Sequence, residues 1–248
     1  MIKLETFLFY VGISILLLCV LLTFIFFNPK QISEEENLVF MNSLTPKQIQ
    51  LLVLNSIEEG DLILMKPKSF SDSYIYDQKI DKGFRNRYTA FFWNSFFDKI
   101  IISSMGDTYW HIGIYVGDQT MNSLGLDIYE NKLNENFFQH HYFKILNVKT
   151  SNTNKKLAIE RSKQHLKDQD IFYSLKNGLI AVFLESTKSD KEYNLREDEL
   201  ICSSYIALIY KEVIFNDKYF THLTPVALEF SNKNEIKFLA NETGFYRK

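Results

Sequence analysis

Cysteine is nearly absent: the 248 residues hold two, Cys19 and Cys202. Cys19 falls inside an unbroken apolar stretch, so the remainder of the chain carries a single thiol and no disulfide framework can staple it. The fold must stand on its hydrophobic core, for which 46% hydrophobic and 15% aromatic residues are ample. A block of lysine or arginine is missing too. With a net charge of -2 and a pI of about 6.2, the chain has no footprint for a phosphate backbone, which sets nucleic-acid binding aside. It also lacks a His-Glu-x-x-His, a cysteine pair and a glycine-rich phosphate loop, so no metal or cofactor is expected. His140 and His141 are adjacent; on one strand they would point to opposite faces and could not chelate together.

What the chain does have is a long apolar run, Phe7 to Phe27, without a charge or a proline. Its length suits a helix crossing a hydrocarbon core of roughly 30 Å. It exceeds the usual h-region of about 7 to 15 residues, and no small-x-small cleavage site follows Phe27, which favours an anchor over a cleaved signal peptide. Lys3 on one side and Lys30 on the other leave the membrane orientation open. The organisation expected is therefore a short tail (1–6), an anchor (7–27), a polar linker (28–42) and one globular domain (43–248). Within the domain, 66–105 is an aromatic-rich insertion holding Phe91, Phe92, Trp93, Phe96 and Phe97.

Local signals place several elements. Thr45, Pro46 and Gln48 read as an N-cap, a first-turn proline and a capping-box partner, starting a helix that should end near Gly60. Asp61 to Met65 reads as a buried strand and Phe143 to Val148 as another. Thr153 to Lys167 reads as a polar amphipathic helix. His111 to Gly117 alternates strictly, with Ile112, Ile114 and Val116 on one face and His111, Gly113 and Tyr115 on the other, as in a half-buried strand. A type II′ turn at Gly117-Asp118 would pair Tyr115 with Thr120 and Gly113 with Asn122, putting Asn122 beside His111. From Cys202 onward, Ile206, Ile209, Tyr210 and Val213 recur at helical spacing, so Cys202 opens an inward-packing helix.

A lone thiol is either an inert buried side chain or a nucleophile. A helix N-terminus favours the thiolate, and backbone N–H groups there can bind an oxyanion. The acidic residues Glu197, Asp198 and Glu199 oppose thiolate formation, so an imidazolium is required nearby. His111 is the candidate base and Asn122 the candidate orienter of its ring.

Four islands carry a resemblance: GDLIL (Gly60 to Leu64), HIGIYVGD (His111 to Asp118), ICSSYIALIY (Ile201 to Tyr210) and TPVALEFS (Thr224 to Ser231). In this order they resemble the YiiX/YaeF-type permuted papain-like amidases of the NlpC superfamily, in which histidine precedes cysteine along the chain. The resemblance implies an α+β, circularly permuted papain-like domain with a small antiparallel sheet packed against helices. It also implies a cysteine hydrolase (amidase or peptidase) with Cys202 as nucleophile and His111 as base, acting on a peptide, amide or lipid-amide substrate. Two positions depart from the family: Ser204 stands where glutamate is usual, and Asn122 where a carboxylate is common. These departures keep open an inactive membrane-bound relative serving as a scaffold. The His-then-Cys order also occurs in the lecithin:retinol acyltransferase-like branch, although the Asn-Cys-Glu-His run usual there is missing around Cys202.

Overall fold

The computed structural model describes residues 38–41, 43–68, 109, 111–125, 128–174, 199–213, 215, 228–229, 231–241 and 243–248. The expected anchor at 7–27 and nearly all of the aromatic insertion lie outside these residues. Among the described residues no helix is long and apolar enough to cross a membrane.

The architecture is α+β. Eight strands form one antiparallel sheet: β1 (Val39–Met41), β2 (Leu62–Pro67), β3 (His111–Gly117), β4 (Thr120–Leu124), β5 (Ile128–Lys132), β6 (His141–Val148), β9 (Asn234–Asn241) and β10 (Gly244–Arg247). Their spatial order is β1-β10-β9-β6-β2-β3-β4-β5. β7 (Phe172–Tyr173) and β8 (Glu199–Leu200) form a separate parallel pair that leads directly into Cys202. The helices are α1 (Pro46–Leu54), α2 (Glu135–His140), α3 (Asn152–Asp168) and α4 (Cys202–Ile209). The sheet is larger than the small one expected from the sequence. Val39–Met41, which the sequence assigns to the linker, pair with β10 as its edge strand.

Both faces of this sheet are covered. On one, Leu62, Leu64, Ile112, Ile114 and Val116 pack with Ala158 and Ile159 of α3 and with Tyr205, Ile206 and Ile209 of α4. On the other, Ile63, Met65, Tyr115, Met121, Phe143 and Ile145 pack with Val53 of α1 and Phe137 and Phe138 of α2. This double cover explains why β2 is an apolar run rather than an alternating one. It also corrects the reading of β3 as half-buried, because all seven of its residues are buried.

Several local expectations hold. Thr45 caps α1 with both reciprocal capping-box bonds, though the helix stops at Leu54, short of Gly60. Gly60 has φ +91, and a Cβ there would lie 2.8 Å from the Tyr210 hydroxyl, so only glycine fits. Asp61 is fully buried and accepts from Lys155 at 3.3 Å, Lys237 at 2.8 Å and the Glu58 amide at 2.9 Å. One carboxylate thus ties α3 and β9 to the start of β2. Arg161 of α3 donates to the Ile209 carbonyl at 2.8 Å and pairs with Glu212, which caps the far end of α4.

The β3–β4 hairpin departs from expectation in a way that matters for the site. Its turn residues are Asp118 and Gln119, with φ 49 and φ 57. Two positive φ values are what a type I′ turn requires. Gly117 pairs with Thr120, but Tyr115 pairs with Met121, so Val116 is an extra residue forming a bulge. Beyond it, Gly113 faces Ser123 and Ile114 faces Asn122. Because side chains alternate with period two, this single insertion exchanges the faces of Asn122 and Ser123.

Candidate active site

Cys202 is the first residue of α4, and the N-cap Ile201 offers no side-chain hydrogen bond. The opening amides of the helix are therefore left for other partners. The backbone N–H groups of Ile112, Ser203 and Cys202 itself are directed at the Cys202 sulfur, and each favours its charged form. Burial works against them and wins: it pushes the thiol up to about 11. The helix start alone was expected to favour the thiolate. The structure reverses the net sign because Cys202 is only 4% exposed.

His111 opens β3, one residue before the Ile112 amide that meets the sulfur. Its Nε2 lies 2.7 Å from the Ser123 hydroxyl and 2.7 Å from the Tyr129 hydroxyl. The Tyr129 ring runs almost parallel to the imidazole, at an interplanar angle of 3°. Burial, assisted by the nearby His141, lowers the imidazole to about 4. His141 in turn donates from Nδ1 to the Phe137 carbonyl at 3.0 Å and stacks on the Phe137 ring.

Asn122 is not beside His111. The Val116 bulge turns its side chain to the face covered by α3 and α4, where Nδ2 donates to the Ser162 hydroxyl of α3 at 3.1 Å. Tyr205 of α4 donates to the same oxygen at 3.0 Å. Asn122 Oδ1 and the Ser204 hydroxyl are buried without a partner. Ser123 occupies the place expected of Asn122. It contacts His111 and donates to the Ile112 carbonyl at 2.6 Å. Ile112 therefore has both main-chain groups engaged, its N–H on the Cys202 sulfur and its C=O accepting from Ser123.

Sequence reasoning missed Ser123 and Tyr129. Parity around the hairpin could have flagged Ser123 as the alternative to Asn122. Tyr129 lies on β5, a strand whose IYENK sequence gives little signal. His140 ends α2 and His141 begins β6, so they do not share a strand as expected. Among the described residues no group of three or more histidine, cysteine, aspartate or glutamate side chains could hold a metal ion.

On the Cys202 side of the sheet, Lys144 of β6 and Glu229 form a buried ion pair at 2.5 Å. The Lys144 ammonium also lies 5.6 Å from the centroid of the Tyr109 ring. Lys144 pairs across to Leu64, which pairs to Ile112, so the ion pair stands in the same row as the amide that meets the sulfur. No family model matches the chain, and no curated protein or solved structure matches it.

Proposed function

We propose that this chain is a cysteine hydrolase of the permuted papain-like, NlpC-type kind, cleaving an amide bond through an acyl-enzyme on Cys202. The domain would be tethered to a membrane by 7–27. One observation carries the reading: the Cys202 sulfur accepts the backbone N–H of Ile112, the residue that follows His111. A nucleophile at a helix start and an imidazole at a strand start thus share one stretch of main chain. The α+β sheet-and-helix architecture and the order of the two residues agree with the family resemblance.

Between about pH 4 and about pH 11 the resting pair is a thiol and a neutral imidazole. His111 takes the thiol proton as sulfur attacks the carbonyl carbon, so no free thiolate accumulates beforehand. The carbonyl oxygen becomes an oxyanion, for which the backbone amides at the start of α4 would be the donors once the sulfur has bonded to carbon. The C–N bond then breaks as the imidazolium returns its proton to the leaving amine. In the second half, His111 removes a proton from water. The hydroxyl oxygen bonds to the acyl carbon, and the C–S bond breaks as the imidazolium returns that proton to the sulfur, restoring the thiol and the neutral imidazole.

Iodoacetamide, read at the Cys202 peptide by mass spectrometry so that Cys19 does not contribute, tests the pair. Labelling should fall on the order of a hundredfold in His111→Ala and in His111→Gln. Equal labelling in wild type and both variants would overturn the enzyme reading in favour of a scaffold. The burial that holds the thiol protonated is the observation favouring that scaffold. A lipid acyl donor that leaves a mass adduct on Cys202 would move the substrate from amides to lipid esters.

A further inference from the structure

Ser123 has one hydroxyl proton, and its 2.6 Å bond to the Ile112 carbonyl claims it, because a carbonyl can only accept. Toward His111, then, Ser123 Oγ is an acceptor, and Nε2 must carry the ring proton of the neutral imidazole. The Tyr129 hydroxyl, 2.7 Å from the same nitrogen, shares that proton as a second acceptor. The opposite tautomer would aim the Nε2 lone pair at Ser123 Oγ. Relieving that clash would take the hydroxyl proton away from the Ile112 carbonyl and leave this group without its partner inside the protein.

We infer that Ser123, seconded by Tyr129, is the positioning residue of the site: it locks His111 as the Nε2–H tautomer and leaves Nδ1 as the basic nitrogen of the ring. The inference rests on the Cys202–His111 reading above. Nδ1 is the ring nitrogen nearer the main chain, and the sulfur is bonded to the next main-chain amide. A hydroxyl anchored on a strand carbonyl thus does what the sequence assigned to the Asn122 carboxamide. The anchor exists because the hydroxyl takes over a carbonyl of β3 close to where its ladder with β4 ends at the Gly113–Ser123 pair.

Tyr129 gives the proposal an unusual signature. With Ser123 removed, the Tyr129 hydroxyl can reverse and donate to Nε2, which moves the ring proton to Nδ1 and silences the base. Ser123→Ala is therefore expected to be more damaging than Ser123→Ala combined with Tyr129→Phe. Independent packing losses would instead add.

The test uses the full chain in detergent micelles, labelled with 15N-histidine. The imidazole nitrogen shifts and their long-range proton couplings report the tautomer, and His111 is assigned by its disappearance in His111→Gln. Wild type and Ser123→Thr, which keeps the hydroxyl, should show Nε2–H; Ser123→Ala should shift toward Nδ1–H. Iodoacetamide alkylation at the Cys202 peptide should slow about tenfold or more in Ser123→Ala and recover in part in the double variant. A wild-type ring protonated at Nδ1, or an unchanged tautomer in Ser123→Ala, overturns the inference. Alkylation that ignores His111→Gln would instead sink the Cys202–His111 chemistry and leave the tautomer result standing.

Discussion

Acidification should unfold this domain through His111. The imidazole is lowered from 6.5 to about 4 by burial and by His141, so the folded state resists a proton that the unfolded state accepts. A base depressed in this way contributes stability that is complete above pH 6.5 and is lost as pH falls toward 4. The gap corresponds to about 3 kcal/mol in all at roughly 1.4 kcal/mol per pH unit. About 2 kcal/mol of it is gone by pH 5. Urea unfolding followed by far-ultraviolet circular dichroism at pH 7.5 and pH 5 measures the loss. For wild type the midpoint should drop by about 1 M more than for His111→Gln. Carboxylates and the remaining histidines titrate in both proteins and cancel in the comparison. Parallel stability curves for the two would refute the claim that a buried neutral imidazole stands at this position.

Lys144→Met should cost about 3–5 kcal/mol, because it leaves the Glu229 carboxylate buried with neither oxygen paired. Adding Glu229→Gln should restore part of that loss, and thermal denaturation of the two variants checks it. Gly113→Ala should destabilise by about 1–3 kcal/mol, since its Cβ would sit 2.6 Å from Met121 Cγ and 2.8 Å from the Asn122 carbonyl oxygen. A Gly113→Ala protein with an unchanged urea midpoint would show that the β3–β4 pair is looser than described.

Much of this molecule can be read from its residues. The Thr45 capping box, the apolar run of β2, the core of the long α3 helix and the opening of α4 at Cys202 follow from local chemistry, and their places agree to within a residue or two. Less could be read where long-range packing decides. Whether β3 is covered on one face or two depends on α1 and α2, and nothing within His111 to Gly117 reports their presence. The strands β9 and β10 carry mixed polar sequences that look unremarkable until β6 supplies a partner. At the site, one residue made the difference. Asn122 and Ser123 are neighbours, and only the register decides which one meets the imidazole. That register turns on a bulge at Val116 and on αL geometry at Asp118 and Gln119, two residues with side chains and no glycine between them. The fall in thiol acidity was equally hidden. Position on a helix can be inferred from spacing, whereas depth beneath the surface is a property of the assembled domain.

The pairing of β1 with β10 sets an order on biogenesis. Val39, near the start of the domain, finds its partner in Arg247, and the neighbouring β9 must also arrive before β6 gains its second flank. During translation the early strands therefore wait, with one main-chain edge of β6 unpaired, until β9 and β10 leave the ribosome. Shortening the chain at its carboxyl end should thus leave an aggregation-prone intermediate rather than a trimmed domain.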